Sequence, residues 1–561
     1  MQSRIAIIGS GPTGLYTLKG LVEANVPLNI TVFEAEAEAG KGMPYHPGLN
    51  DPAMLSNIPS IEIPALTETL VEWLTRQGNE DLERLGIRRE AIDGREFYPR
   101  VVLGEYMRDQ FLRIVERGLA NGHNIDVRER QKVIDIALQP HNVMLTVRAG
   151  EDEPVEAVFD HVVMATGHNW PDKTEVKPGY FISPWPAGEL AEVRNCRVGI
   201  LGTSLSGIDA LMTVATSNGA FHYDAAGDLQ FAPAAESAAF HATMMSRKGL
   251  LPEADFYCPL PYRDPEVCTK EAVDALIATG RGDLLDDLFE LFRAELMAAD
   301  PDYAAKIGLW RLTVETFADA YYADRMEADP FVWAAKNLAE TEQNRERRYT
   351  VPWRYAILIT HEIIARAIPH LNETDLKRFH KHFKNVFVDD YATVPLMSIR
   401  RMLALHRAGV LDILRLGQDY EIVTEGRERG AEIIIGDDSH AFDALIDATG
   451  QSALSATDMP FPTLVSQGGV KEATTVKERV VDPDETARQV RTGGIDVDDA
   501  YRPTVATGLC NRLYCAAIPF LLHKQPFVQG ITSAAEIGEA VSEAIIDDIH
   551  SDRGGMLQKS A

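Results

Sequence analysis

Two short glycine-rich runs carry the groups of this chain best suited to hold a phosphate. The first is Gly9-Ser10-Gly11-Pro12-Thr13-Gly14, which follows the apolar run RIAII. After it, LYTLKGLVEAN sets Leu15, Leu18, Leu21 and Val22 at helical spacing, and ITVFEA brings Glu34 twenty residues beyond Gly14. In such a strand–turn–helix–strand unit, Gly9 permits the tight turn, Gly11 lets the backbone approach a pyrophosphate, and Gly14 lets helix and strand pack closely. The helix start offers free N–H groups and a positive dipole end. Glu34 is placed to accept from a ribose hydroxyl, so the whole unit predicts a dinucleotide site.

The second run, Gly202-Thr203-Ser204-Leu205-Ser206-Gly207, follows RVGIL and has a serine where the middle glycine is expected. Ser204 is small and its hydroxyl can donate to a phosphate oxygen, while Gly202 and Gly207 keep the turn and packing positions. HATMMSRKG predicts a strand ending near Arg247, where the first unit has Glu34. A cation there suits a 2′-phosphate and an acid suits a free ribose. NADPH is therefore favoured, NADH is the alternative, and a basic loop facing solvent is the competing reading.

The elements that must position these turns occur twice. Residues 158–167 read FDHVVMATGH and residues 442–451 read FDALIDATGQ. Before the first come the helical LGEYMRDQFLRIVERGLANG and strand-like runs near 125–127, 133–136 and 143–147. Before the second come SIRRMLALHRAG and runs near 411–414, 420–423 and 432–435. The matching order predicts a duplicated layout and an α/β fold: two Rossmann-like, three-layer dinucleotide-binding domains with a helical insertion. The expected boundaries are 1–190 and 441–547 for the first domain, 191–267 and 373–440 for the second, 268–372 for the helical insertion, and 548–561 for a tail. The insertion is a candidate substrate cap. Its Trp310, Trp333, Trp353 and Arg354 are expected mainly in the core, with PWRY facing a pocket as the alternative. His380-Lys381-His382 has no matching Cys or carboxylate cluster and reads as a solvated helix face, not a metal site.

At 561 residues the chain exceeds a single core. Its net charge of -29 argues against a nucleic-acid partner. Five cysteines without a Cys-x-x-Cys pair indicate neither a disulfide framework nor a dithiol centre. No basic region with an apolar stretch and cleavage site opens the sequence, and no apolar run nears the roughly 20 residues of a membrane span. A reduced, cytoplasmic protein acting on a small molecule is the expectation.

Two glycine turns, each closed by an Ala-Thr-Gly strand, resemble flavoproteins with two dinucleotide-binding domains, such as the flavin-containing and N-hydroxylating monooxygenases and the pyridine-nucleotide flavin reductases. Longer strings narrow the likeness: GMPYHP (42–47), MLSNIPSIEIP (54–64), FYPRVVLGEY (97–106), GTSLSG (202–207), SRKGLLPEADFYCP (246–259), TVPWRYAIL (350–358) and QPFVQGITSAAEIGEA (525–540). Over essentially its whole length the chain is similar to the YdhS-type FAD/NAD(P)-binding proteins.

The resemblance implies FAD at the N-terminal site, NAD(P)H at the middle one, and a return of the chain to complete the FAD domain. NRLYCAAIPF and the amphipathic VQGITSAAEIGEAVSEAIIDDI fit that return. Implied FAD contacts are Gly9, Ser10, Gly11, Pro12, Thr13, Gly14, Glu34, Gly42, Tyr45, Asn57 and Arg100. Thr166 and Gly167 would flank the site, and Gly450, Gln529, Gly530 and Ile531 would close it. Implied NAD(P)H contacts are Gly202, Thr203, Ser204, Ser206, Gly207 and Arg247. Tyr45, Asn57 and Arg100 also admit a plainer reading, as residues holding a loop or pairing with an acid. Two departures stand out: Ile518-Pro519 replaces the usual Gly-Asp after the last strand, and GYFISPWP keeps Phe181 and Trp185 but lacks the histidine of the monooxygenase signature. The implied activity is oxygenation of a nucleophilic N or S centre by an NADPH-dependent flavoenzyme. A reductase with a non-disulfide acceptor and a non-catalytic cofactor-binding sensor are the alternatives.

Overall fold

The computed structural model describes residues 2–168, 173–450, 454–475, 491–506, 509–527 and 530–559. Among them two mainly parallel sheets repeat one plan. The first orders Leu513–Cys515, His161–Met164, Arg4–Ile8, Asn29–Phe33 and Asn124–Arg128, with every neighbouring pair parallel. The second orders Tyr180–Phe181, Ala444–Asp447, Arg197–Leu201, His241–Ser246 and Leu411–Arg415 in the same parallel sense, with Glu175–Lys177 added antiparallel at one edge. Central strands such as Ile5, Ala6 and Ile7 are fully buried. Each sheet is covered by helices on one face and by a small antiparallel sheet on the other, so the strands read as unbroken apolar runs.

The repeat extends to small features. A three-stranded antiparallel sheet precedes each Ala-Thr-Gly strand: Gln131–Leu138, Val143–Ala149 and Val155–Phe159 in one half, and Glu421–Val423, Ala431–Ile435 and Asp438–Phe442 in the other. The Phe-Asp pair of each string then makes the corner. Asp160 accepts from the Arg4 backbone N–H at 2.8 Å, and Asp443 accepts from the Arg197 N–H at 3.0 Å. Each aspartate thereby satisfies the first donor of a central strand, which has no ladder partner there.

The sheets redraw two expected boundaries. Helices continue past 372 to Leu396–Arg407, because Phe379, Phe383, Val386 and Phe387 extend the apolar face of the insertion into its core. The Ala-Thr-Gly strand Ala444–Asp447 pairs with Arg197–Leu201, so it belongs to the second sheet and not to the completion of the first. Tyr180–Phe181 likewise falls in the second sheet.

Among the contacts that hold the parts together are these. Helix Pro12–Val22 and the C-terminal helix Ile531–Lys559 run side by side in the same direction: a Cβ on Gly20 would lie 2.0 Å from Ser542 Oγ, and one on Gly538 would lie 2.8 Å from Thr17 N. Phe527 inserts into the aromatic core of the helical insertion, against Phe379 and Phe387. Arg100 reaches from the first half to Asp209 on helix Leu205–Asn218, with Nη2 2.7 Å from Oδ2. It is a close ion pair, not an aligned hydrogen bond.

Burial lifts the Asp209 carboxyl to about 6 although Arg100 opposes the shift. The folded chain therefore holds that proton more tightly than the unfolded chain, whose Asp titrates near about 4. The linked stability is present at low pH and declines as pH rises from about 4 to about 6. Asp209→Asn should remove this decline in the thermal midpoint. Arg100→Ala, which strands a buried carboxylate, should cost about 3–5 kcal/mol, and adding Asp209→Asn should recover much of the loss. Melting curves between pH 4 and 8 for the three variants check this.

Candidate cofactor sites

Each glycine turn is built on a carbonyl of the neighbouring Ala-Thr-Gly strand. Gly9 has φ +96, and a Cβ there would sit 2.4 Å from the Ala165 oxygen. Gly202 has φ +116, and its Cβ would sit 2.5 Å from the Ala448 oxygen. The packing glycines match too: a Cβ on Gly14 would lie 2.1 Å from Gly9 O, and one on Gly207 2.3 Å from Gly202 O. Four positions thus exclude any side chain, as a turn fitted to a pyrophosphate requires.

At the first site a cavity of about 240 Å³ is lined by Gly9, Gly11, Pro12, Thr13, Glu34, Gly42, Tyr45, Thr166, Gly167, Gly530 and Ile531. Gly42, at φ +72, lies back to back with Gly11, and a Cβ on it would be 2.8 Å from Gly11 Cα. That contact seats the loop bearing the buried Tyr45 over the turn. Ser10 is buried beneath the turn, where its N–H and hydroxyl both donate to Glu34 Oε2, at 3.1 and 2.5 Å. Glu34 Oε1 accepts from the Glu36 N–H. The carboxylate is thus fixed at the end of the second strand. Because helices Pro12–Val22 and Ile531–Lys559 are parallel, both N-termini open on this cavity. The glycine cradle, paired helix starts and fixed acid fit a dinucleotide of the FAD kind.

Other expected contacts fall elsewhere. Asn57 is exposed and lies beside Gly530, 3.7 Å from where its Cβ would be, rather than on the cavity wall. Arg100 is engaged by Asp209 and donates to Leu55 O at 3.2 Å. Gly450 follows the strand of the second sheet and so flanks the second turn, not the first. Gln529 lies outside the described residues. His168, directly after Gly167, was missed by motif reading and lines the cavity. Burial lowers its imidazole to about 4, so it is neutral at physiological pH. Ile518, at the departure from the usual Gly-Asp, also lines the cavity.

At the second site Ser204 stands exposed at the N-cap position of helix Leu205–Asn218, without a side-chain capping hydrogen bond, Ser206 is half-buried, and Thr203 is buried. The strand register shows what replaces Glu34. Ile8 pairs with Phe33, and Gly9 N–H donates to Phe33 O; likewise Leu201 pairs with Met245, and Gly202 N–H donates to Met245 O. Ser246 therefore occupies the place of Glu34, and the exposed Arg247 follows it. Lys248 turns away, its ammonium 4.0 Å from the centre of the Tyr322 ring.

The remaining candidates are structural. Arg354 is buried and paired with Glu253 at 2.7 Å, Trp333 Nε1 donates to Glu253, and Trp353 stacks on Tyr303. Trp310 is half exposed. All five cysteines are unpaired and buried, and burial pushes the thiols of Cys258, Cys268 and Cys515 up to about 12. Among the described residues no cluster fit for a metal occurs, and no helix is long and apolar enough to cross a membrane.

Comparison with known proteins agrees with this architecture. A family described as FAD-NAD(P)-binding matches residues 6–169, and a YdhS-like middle domain matches 269–391. The chain is 44% identical over 545 residues to YdhS of Escherichia coli (strain K12), covering 97% of this chain and 98% of that one. It is 28% identical over 201 residues, 34% of this chain and 48% of the relative, to 6-hydroxy-3-succinoylpyridine 3-monooxygenase HspB of Pseudomonas putida. Similar solved structures include ornithine hydroxylase PvdA from Pseudomonas aeruginosa, with TM-score 0.49, 12% identity and coverage of 98% and 100%. Ornithine N-hydroxylase from Kutzneria sp. 744 gives 0.48, 13%, 98% and 100%. With two matched glycine turns, an FAD-NAD(P)-binding region and a likeness to YdhS along nearly the whole chain, this protein belongs to the YdhS family of FAD/NAD(P)-binding proteins.

Proposed function

We propose that the protein is an NADPH-dependent flavin oxidoreductase of the monooxygenase kind, oxygenating an N or S centre of a small molecule. The observation that carries the reading is the pair of matched glycine cradles, joined by the Arg100–Asp209 ion pair. Bound FAD would supply the redox chemistry, taking the electron pair of NADPH to dioxygen, one atom of which would go to the substrate and the other to water. The chain's own part is to bind, orient and exclude water. Gly9, Gly11 and the two helix starts would hold the FAD pyrophosphate, with Glu34 on its ribose. Gly202 and Ser204 would hold the NADPH pyrophosphate, and Arg247, past the serine that replaces the ribose-binding acid, would take the 2′-phosphate. His168 would stay uncharged at the cavity wall, a donor or acceptor without cationic charge. The buried, high-pKa cysteines argue against a thiol relay. The partial likeness to HspB, a 3-monooxygenase by name, favours oxygenation.

The test is the flavin spectrum of the purified chain and its NADPH oxidation with and without oxygen. Oxygen-dependent oxidation that gives an oxygenated product supports the reading. Electron transfer only to added acceptors would replace it with the reductase, and a protein without flavin would overturn both. Two substitutions separate the sites. Gly9→Ala, which forces a Cβ against Ala165 O at positive φ, should abolish flavin binding while far-UV circular dichroism persists. Gly202→Ala should leave the flavin bound and raise KM for NADPH by about tenfold or more, equivalent to about 1.4 kcal/mol.

Cofactor preference is read at Arg247. Arg247→Glu should lower kcat/KM for NADPH by about tenfold or more, since the 2′-phosphate loses a charge-assisted contact and meets an acid. The value for NADH should stay within about twofold. Equal losses with both nucleotides would remove Arg247 from the 2′-phosphate site.

A further inference from the structure

Beside the FAD cavity lies a larger cleft of about 760 Å³, between the helical insertion and the C-terminal part of the chain. One chain segment, residues 518–524, borders both. Ile518 faces the smaller cavity, while Leu522 and His523, four and five residues on, face the cleft. Its volume lies in the range of small-molecule sites.

The ionised side chains of the cleft are balanced in number, Asp274, Asp496 and Asp499 against Arg366, Lys384 and Lys524, but they are not all paired. The helical side contributes His370, His380 and Lys384, and the opposite side Thr474, Thr492 and His523. His380 and Lys384 come from one continuous helical run, in which the π-helical turn Phe379–Phe383 joins Glu373–Arg378 to Lys384–Tyr391. Such turns insert an extra residue and re-aim side chains. Both rim cations at the ends are already matched: Arg366 binds Asp274 through Nε and Nη2, and Lys524 binds Asp499 at 3.1 Å. Asp496 lies on the wall opposite Lys384, beside His523. Lys384 is half-buried, and among the described residues it makes no hydrogen bond or ion pair. Burial alone lowers its pKa. A partly desolvated ammonium without a counter-ion costs stability and is held ready for an anion. Ile368 and Leu371 supply an apolar floor.

We propose that this cleft is the substrate site of the flavoenzyme, and that it takes a small organic carboxylate, whose anionic group pairs with Lys384 and whose apolar part lies on Ile368 and Leu371 toward the shared segment. This assignment rests on the oxidoreductase reading above. Lys384 is a binding residue, and the histidines and threonines complete a hydrogen-bonding rim around the same anion.

Isothermal titration calorimetry of the FAD-loaded full chain tests it, with benzoate and succinate as probes and benzamide as the neutral control. The acids should bind and benzamide should not. Lys384→Met should weaken acid binding by about tenfold or more, Lys384→Arg should restore most of it, and Lys381→Met, on the exposed neighbour, should leave it unchanged. Lys384→Met should also melt at the same temperature or higher, because it removes an uncompensated charge. Absence of binding by either acid, equal binding of benzamide, or unchanged affinity in Lys384→Met would overturn the site. A chain that oxidises NADPH but ignores both acids loses the cleft and keeps the flavoenzyme reading. A chain that binds acids through Lys384 without flavin reduction has the reverse outcome.

Discussion

Both glycine turns depend on one constraint: a backbone turn lying directly on the carbonyl of the next strand, with no space for a Cβ. Gly9 on Ala165 and Gly202 on Ala448 meet it within a tenth of an ångström of each other. The positive φ at both glycines aims the chain from strand to helix, and the helix start then offers its N–H groups to the ligand. At the first site the consequences spread further. The direction of helix Pro12–Val22 fixes the parallel C-terminal helix through the Gly20–Ser542 and Gly538–Thr17 contacts. Gly530 and Ile531 reach the cavity because those small residues let two helices run close together.

The second layer of dependence joins the halves. Asp209 belongs to the same helix as Gly207, yet its carboxylate is spent on Arg100 of the other half. A buried pair of this kind contributes little net stability, but breaking it is costly, so it favours one arrangement of the two turns over others. Phe527 acts similarly for the C-terminal return. By entering the aromatic core of the insertion, it ties the segment before Gly530 to helices more than a hundred residues earlier in the chain.

Local patterns disclosed the parts of the fold that local physics determines. Glycine spacing, apolar runs and the repeated Phe-Asp and Ala-Thr-Gly strings marked both turns and both sheets. Pairing was not legible. Gly167 and Gly450 end nearly identical strings, and only the register of Ala444–Asp447 against Arg197–Leu201 shows that Gly450 serves the second turn. Arg100 looks like a cofactor ligand in sequence because nothing nearby in the chain announces Asp209. The insertion reads as ending at 372 because Pro369 and Asn372 interrupt the helices there, although the helices that start again at Glu373 pack into the same core. At Phe379–Phe383 a π-helical turn then shifts the helical phase although the helix continues. The same shift turns His380 from an apparent surface residue into part of a cleft.

The charge of the chain sharpens what each site must do. With 84 acids against 55 Lys and Arg, the long-range field opposes every anionic ligand. That field is screened over about 8 Å at physiological salt, so recognition has to be made at contact. Backbone N–H groups at the two turns meet this need without adding side-chain charge. Where side chains are used, each must be kept from the surplus acid. Most arginines in the insertion are not: Arg325, Arg354 and Arg378 are all held by carboxylates. Arg247 and Lys384 differ, because neither has a carboxylate within ion-pair distance among the described residues. In so acidic a protein, leaving the half-buried Lys384 unmatched inside a cleft is a cost that ligand binding can offset and folding cannot.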